Sequence, residues 1–325
     1  MPNLHPVIDL QSLTIVPWYV CRTANCAGCY QKRDEGYGES LADSLDLDLL
    51  IPFLRNYAST VRVHAFGLIG GEITEYPDSR KLVRMLTDEF PGIRLEIVSN
   101  GQNHEVVGDL IDAANRRRNL VFEFSIDGYG DACDRLRGKN GYFSEVLSSI
   151  DEMKARGLGT NIHINTRYFH GSEDSIVEMA EFLCHRYGIT RADISLIDVD
   201  YVGADPKRGR EYVGRLRQFS SDFWGDVCRQ ELPRSHPLHQ PYDVRRRQSF
   251  SVPGIHPDGY LYTCFDYNRG TRLGHIRSDD VAGMIGKMLN LAALNPEQCD
   301  QCLVGSCVKH HYDFHDRSCD EQEGS

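Results

Sequence analysis

The stretch Cys21-Arg22-Thr23-Ala24-Asn25-Cys26-Ala27-Gly28-Cys29-Tyr30 puts three cysteines within nine residues, and the apolar run Thr14 to Val20 leads straight into it. A short run rich in β-branched and aromatic residues predicts a buried strand. The cysteines then sit on the loop leaving the C-terminal end of that strand, where α/β barrels place their chemistry. Three thiolates with no fourth ligand nearby make an incomplete shell, since a zinc site normally closes with a fourth Cys or His. A zinc knuckle or a chance group of buried thiols is the plain alternative.

Outward from this loop, apolar periodicity predicts alternating helices and strands. Leu47, Leu49, Leu50, Ile51, Phe53 and Leu54 give a broad helical stripe over 44–57. Strands are predicted at 61–69, 94–98, 120–126, 160–166 and 193–199, and helices at 79–90, 104–117, 142–156 and 172–187. Strands that alternate with helices require a parallel sheet with right-handed crossovers, hence a partial (β/α)6 TIM-like barrel. A long helical segment at about 208–229 gives way to a Pro- and Arg-rich stretch, 232–248, which is the candidate linker. It divides the chain into 1–235 and a small cysteine-rich C-terminal extension, 236–325. There Asp258-Gly259 predicts the turn of a β-hairpin over 256–264.

Composition narrows the class. The chain has 325 residues, 41% hydrophobic and 26% charged, enough for one large domain and a smaller one. No run of eighteen apolar residues predicts a membrane span, and 1–10 lacks the basic-then-apolar pattern of a secretion signal. Eleven cysteines without that signal point to metal or redox use in a reducing cytoplasm rather than to disulfides. A net charge of −11 disfavours nucleic acid as a partner and suits a cationic small substrate.

Three further motifs and a lone asparagine fall at predicted strand ends. Gly70-Gly71-Glu72-Ile73 follows the second strand; paired glycines let backbone approach a ligand, and a carboxylate beside them can accept from an ammonium. Ser99-Asn100-Gly101 ends the third strand, and Ser125-Ile126-Asp127-Gly128 the fourth. Asp134-Arg135-Leu136-Arg137-Gly138 comes after it, and Asn165 ends the fifth strand. Taken singly, each is an ordinary turn or a solvated charge.

In this order they resemble the radical S-adenosylmethionine (SAM) enzymes, over roughly residues 14 to 320. That family usually spaces its cysteines C-x3-C-x2-C, and this chain has C-x4-C-x2-C. The resemblance implies a [4Fe–4S] cluster on Cys21, Cys26 and Cys29 whose open iron binds SAM. It implies that Gly70, Gly71 and Glu72 hold the SAM amino group, and that Ser99, Asn100 and Ser125 line the cofactor. Asp127 would face SAM or substrate, Arg137 the SAM carboxylate and Asn165 its sugar. In the extension, Cys299, Cys302, Cys307 and Cys319 resemble a SPASM or twitch segment and imply one auxiliary [4Fe–4S] cluster, with a structural zinc ribbon as the alternative.

The resemblance further implies reductive cleavage of SAM to a 5′-deoxyadenosyl radical, fed by an electron-donor protein of flavodoxin or ferredoxin type. Cys264 is left without an obvious cluster, and a thiol beside a radical site can return a hydrogen atom. Cys264 could equally ligate the auxiliary cluster or be buried as a small apolar residue. Cys133 is the second candidate donor, and Cys184 and Cys228 fall within helices without a role. Peptide-modifying members commonly carry an N-terminal recognition domain, and the twenty residues ahead of Cys21 leave no space for one. The expectation is therefore an epimerase of a cationic amino sugar, of the kind found in aminoglycoside biosynthesis. A dehydrogenase of an amino-sugar alcohol, a peptide modifier whose recognition domain is a separate protein, and a zinc-stabilised binding module are the alternatives.

Overall fold

The computed structural model describes residues 8–29, 44–115, 119–198, 219, 223, 253–263, 271–278 and 280–294. In chain order these form β1 (Ile8–Ile15), α1 (Leu47–Thr60), β2 (Val61–Leu68), α2 (Ser79–Glu89), β3 (Arg94–Ser99) and α3 (His104–Ala113). Then come β4 (Leu120–Ser125), α4 (Gly130–Arg137), α5 (Tyr142–Ala155), β5 (Ile162–Tyr168), α6 (Glu173–Tyr187) and β6 (Ile194–Asp198). After residue 253 follow β7 (Gly254–Ile255), β8 (Tyr260–Tyr262), β9 (Arg272–His275) and α7 (Val281–Leu294).

One sheet carries all the described strands, in the order β6-β5-β4-β3-β2-β1-β7-β8-β9. From β1 to β6 every neighbouring pair is parallel. This is the α/β fold that the alternating periodicity predicts, an open parallel sheet consistent with a partial barrel. Alternation on the strands decides which face is covered: on β2, Val61, Val63 and Ala65 are buried while Arg62 and His64 are exposed. Leu50, Leu54 and Tyr57 of α1, Leu110 of α3 and Ile150 of α5 are fully buried in the core. Parallel strands bring all their C-terminal ends to one edge, so every motif named above at a strand end lies on the same rim. No helix among the described residues is long and apolar enough to cross a membrane.

Four features depart from the sequence reading. The first strand is Ile8–Ile15 rather than 14–20, because Pro17 has no N–H with which to prolong the ladder. Helix α4 was not anticipated; it offers few apolar residues to mark a period. The fifth strand starts at Ile162, after a tight helical turn at Gly159–Asn161. The hairpin forms at Asp258-Gly259, where Gly259 adopts φ +75° and Asp258 accepts from the Tyr260 backbone at 3.1 Å. Its first strand, however, also joins the main sheet: β7 lies parallel to β1, pairing Thr14 with Gly254 and Ile15 with Ile255.

Candidate active site

The loop after β1 runs along the rim and is sewn to its neighbours by backbone hydrogen bonds. Gly71 N–H donates to Trp18 C=O at 3.1 Å and Glu72 N–H to Val20 C=O at 2.9 Å. Glycine is required there. A Cβ on Gly71 would stand 2.0 Å from the Val20 carbonyl oxygen, and Gly70 holds φ +141° with a Cβ position 2.5 Å from the Trp18 carbonyl oxygen.

Glu72 turns its carboxylate into the protein, where it is 2% exposed. Oε1 accepts from Ser99 Oγ at 2.7 Å, Thr74 Oγ1 at 2.8 Å and Thr74 N–H at 3.0 Å, while Oε2 accepts from Asn100 N–H at 2.7 Å. The ammonium-accepting role read for this side chain thus meets a carboxylate already held by four donors, and Glu72 braces the exit of β2 against the exit of β3. Burial raises its pKa, and the hydrogen bonds from Ser99, Asn100 and Thr74 oppose the rise. Glu72→Gln keeps Oε1 but turns an N–H2 toward the Asn100 N–H. The expected loss is about 1–3 kcal/mol of folding free energy, read by urea denaturation.

Asp127, just beyond β4, is fully buried between two arginines. Arg137 grips it side-on, with Nε 2.6 Å from Oδ2 and Nη2 2.7 Å from Oδ1. Arg167 adds its backbone N–H at 2.9 Å and its Nε at 3.0 Å, with Nη2 also on Oδ2. The same arginines reach the cysteine loop. Arg167 Nη1 donates to Ala27 C=O at 2.8 Å, and Arg137 Nη1 lies 3.9 Å from Cys26 Sγ. The end of α4 also holds the loop through its backbone: Asn25 N–H donates to Arg137 C=O at 3.1 Å and Ala27 N–H to Leu136 C=O at 2.8 Å.

Cys21, Cys26 and Cys29 are half-buried. Asn100 Nδ2 lies 4.0 Å from Cys21 Sγ. Burial pushes the Cys21 thiol up to about 11, reinforced by the Glu72 charge and opposed by a hydrogen bond from the Ala24 backbone. Among the described residues no three His, Cys, Asp or Glu side chains gather closely enough to share one metal ion. Amide and guanidinium donors near the sulfurs are what iron–sulfur clusters use to tune potential. Three thiols on one rim loop, two of them beside an amide or a guanidinium donor, are a donor set that fits an iron–sulfur cluster.

Of the other residues singled out, Ser99 and Asn100 meet at Glu72, and Gly101 N–H donates back to Ser99 Oγ at 3.0 Å. Ser125 contributes its carbonyl to the Tyr142 hydroxyl at 2.8 Å, and Asn165 Nδ2 donates to Glu123 at 2.6 Å. Cys133 is completely buried in the core, its thiol pushed up to about 12 by burial and by the Asp127 charge. Cys184 is exposed on α6. Cys228, Cys264, Cys299, Cys302, Cys307 and Cys319 lie outside the described residues. Sequence reasoning missed Glu75 and Arg167. Arg167 shares a strand face with Asn165 two residues earlier, which was a usable signal; Glu75 had none.

Residues 15–183, just over half of the chain, match the family model of the radical SAM superfamily. The sporulation killing factor maturation protein SkfB of Bacillus subtilis (strain 168) is 22% identical over 289 residues, covering 84% of this chain and 64% of that protein. Among solved structures, SuiB of Streptococcus suis bound to SAM superposes with a TM-score of 0.57 at 16% identity, covering 83% of this chain and 64% of SuiB. The chain thus spans just under two thirds of the length of these two relatives. The structure titled anSMEcpe with bound AdoMet (the same cofactor) superposes with a TM-score of 0.64 at 15% identity, covering 96% of this chain and 92% of that one. With the family match running from the end of β1 into α6 and the three-cysteine loop at the rim, the chain belongs to the radical SAM superfamily.

Proposed function

We propose that this chain is an enzyme that draws a hydrogen atom from an unactivated C–H bond of its substrate, a carbon in a precursor peptide. Cys21, Cys26 and Cys29 would hold the SAM-binding [4Fe–4S] cluster, and the backbone of Gly70 and Gly71 would face the SAM ammonium. With SAM at its open iron, that group supplies reductive SAM cleavage and hydrogen-atom abstraction. The observation that carries the reading is the placement of the three thiols on the rim, braced by the Gly-Gly turn on one side and by α4 on the other. Glu72, Asp127 and Arg137 would then serve the cofactor by holding the walls around it, Ser99, Asn100, Ser125 and Asn165 completing the rim. A peptide substrate is supported by what the relatives are named for: SkfB matures a killing factor, and SuiB has been solved bound to its precursor peptide SuiA.

A second reading keeps a cationic amino sugar, inverted by hydrogen return from a thiol. It is favoured by the net charge of −11, which suits a cationic substrate. Because Cys133 is sealed in the core, the donor in this reading is Cys264. In both readings a segment beyond about residue 235, with Cys299, Cys302, Cys307 and Cys319, would carry one auxiliary cluster, and a flavodoxin- or ferredoxin-type protein would supply electrons.

The test is anaerobic reconstitution followed by mass-spectrometric detection of 5′-deoxyadenosine in D2O, with precursor peptides and amino sugars in separate arms. Nucleoside formed only with peptides supports the first reading; deuterium in a recovered sugar supports the second. Cys26→Ala should abolish nucleoside formation in either. Zinc in the loop and no nucleoside with dithionite would end both.

A further inference from the structure

We infer that Glu75 is a positioning residue that holds the lengthened segment between Cys21 and Cys26. The inference rests on the cluster reading above for its purpose and on geometry for its substance. That segment has four residues where the family usually has three, so one additional peptide unit must be accommodated without displacing either thiol.

Each N–H of Arg22, Thr23, Ala24 and Asn25 has a partner. Asn25 N–H goes to Arg137 C=O at 3.1 Å, and Ala24 N–H to Cys21. The other two converge on one carboxylate: Arg22 N–H lies 2.9 Å from Glu75 Oε2 and 3.2 Å from Oε1, and Thr23 N–H 2.9 Å from Oε1. The Thr23 hydroxyl donates to the same oxygen. Hydrogen bonds to a carboxylate are roughly twice as strong as neutral ones. Without an acceptor here, the extended segment would rely on water to satisfy two successive amides.

Glu75 is delivered by the turn that begins at Glu72. Residues Ile73–Glu75 form a single tight helical turn, closed by Glu75 N–H on Glu72 C=O at 3.1 Å and Tyr76 N–H on Ile73 C=O at 3.2 Å. The buried Tyr76 ring packs on Trp18 at 5.5 Å. One short turn thus carries two carboxylates with different tasks: Glu72 grips β3, and Glu75 grips the cysteine loop.

The test uses reconstituted full-length protein and two readouts other than turnover. Chelator-driven loss of the cluster, followed by its visible absorbance, should be at least about tenfold faster in Glu75→Ala, the change that losing even one charge-assisted bond would give. Glu75→Gln keeps one acceptor oxygen and should fall between, and Thr23→Val, which removes only the hydroxyl, should stay close to wild type. Hydrogen exchange at the Arg22 and Thr23 amides should accelerate in Glu75→Ala with no change at Gly71. Wild-type chelation rates together with wild-type amide protection in Glu75→Ala would overturn the inference. Should that variant not fold, Glu75→Gln decides by the same two measurements. A wild-type chain that takes up no iron would sink the cluster reading instead, and amide exchange alone would then decide whether Glu75 holds the segment.

Discussion

Asp127→Ala should cost about 3–5 kcal/mol of folding free energy, because it strands a buried guanidinium. The Arg137 and Asp127 side chains are 7% and 0% exposed, so neither charge can turn to water when the other is removed. The intact pair contributes much less than this loss, since both ions first give up their hydration. Burial alone would raise the Asp127 pKa; the charges of Arg137 and Arg167 reverse the sign and hold it below the usual carboxylate range. A carboxyl held low in the folded state stabilises above its unfolded pKa, and the contribution fades as pH falls through the folded value. Urea unfolding should therefore show a wild-type stability that declines below about pH 4, and a variant that lacks this acid-side loss. The cycle with Arg137→Met separates a stranded charge from a lost contact. The double variant should be more stable than the sum of the singles by about 1–3 kcal/mol, because it removes the orphaned cation. Simple additivity would show that Asp127 and Arg137 are not one unit. Since Arg137 and Arg167 also touch Cys26 and Ala27, Asp127→Ala should retain less iron than wild type at equal protein concentration.

The strands and helices were legible because periodicity reports burial, and burial is what a covered parallel sheet imposes. The rim motifs were legible because turns after strands demand glycine, asparagine and aspartate for local backbone reasons. Which protein groups those side chains also hold was not. Glu72, Asp127 and Arg137 were each assigned to the cofactor, and the structure gives each a protein partner first. An isolated carboxylate in a sequence does not reveal whether its acceptor capacity is taken by Ser99 and Thr74 or left for a ligand. The pairing of β7 with β1 was equally hidden. Two residues, Gly254 and Ile255, carry no period, and their place depends on the edge of a strand some 240 residues earlier. Glu75 lies in a stretch with no turn or period signal, and only the loop it grips gives it a role. Helix α4 was missed for a related reason. Besides the Arg137 side chain, its value lies in the carbonyls of Leu136 and Arg137, which any residue would supply.

Among changes that leave all three thiols in place, the largest loss of rate is expected at Gly71. Gly71→Ala should lower the rate of 5′-deoxyadenosine formation by about 100-fold or more, the scale of loss that a displacement of about an ångström produces at a catalytic centre. The new Cβ would lie 2.0 Å from the Val20 oxygen, 2.4 Å from its carbon and 2.6 Å from its nitrogen. All three are backbone atoms, so no rotamer change relieves the clash. Either the Gly-Gly turn or the segment leading to Cys21 must move, and the bonds from Gly71 to Trp18 and from Glu72 to Val20 are lost with it. Overpacking of this kind costs about 1–3 kcal/mol, which a domain of this size can survive, so the variant should fold and fail at SAM cleavage rather than disappear. Gly92→Ala is the control: its Cβ meets nothing within 4 Å, and both stability and rate should stay at wild type. Reduced cluster content in Gly71→Ala would place the damage at Cys21, whereas full cluster content with weaker SAM binding would place it at the turn. A variant that turned over at the wild-type rate would show that the close approach of Gly71 to Val20 has no part in the chemistry.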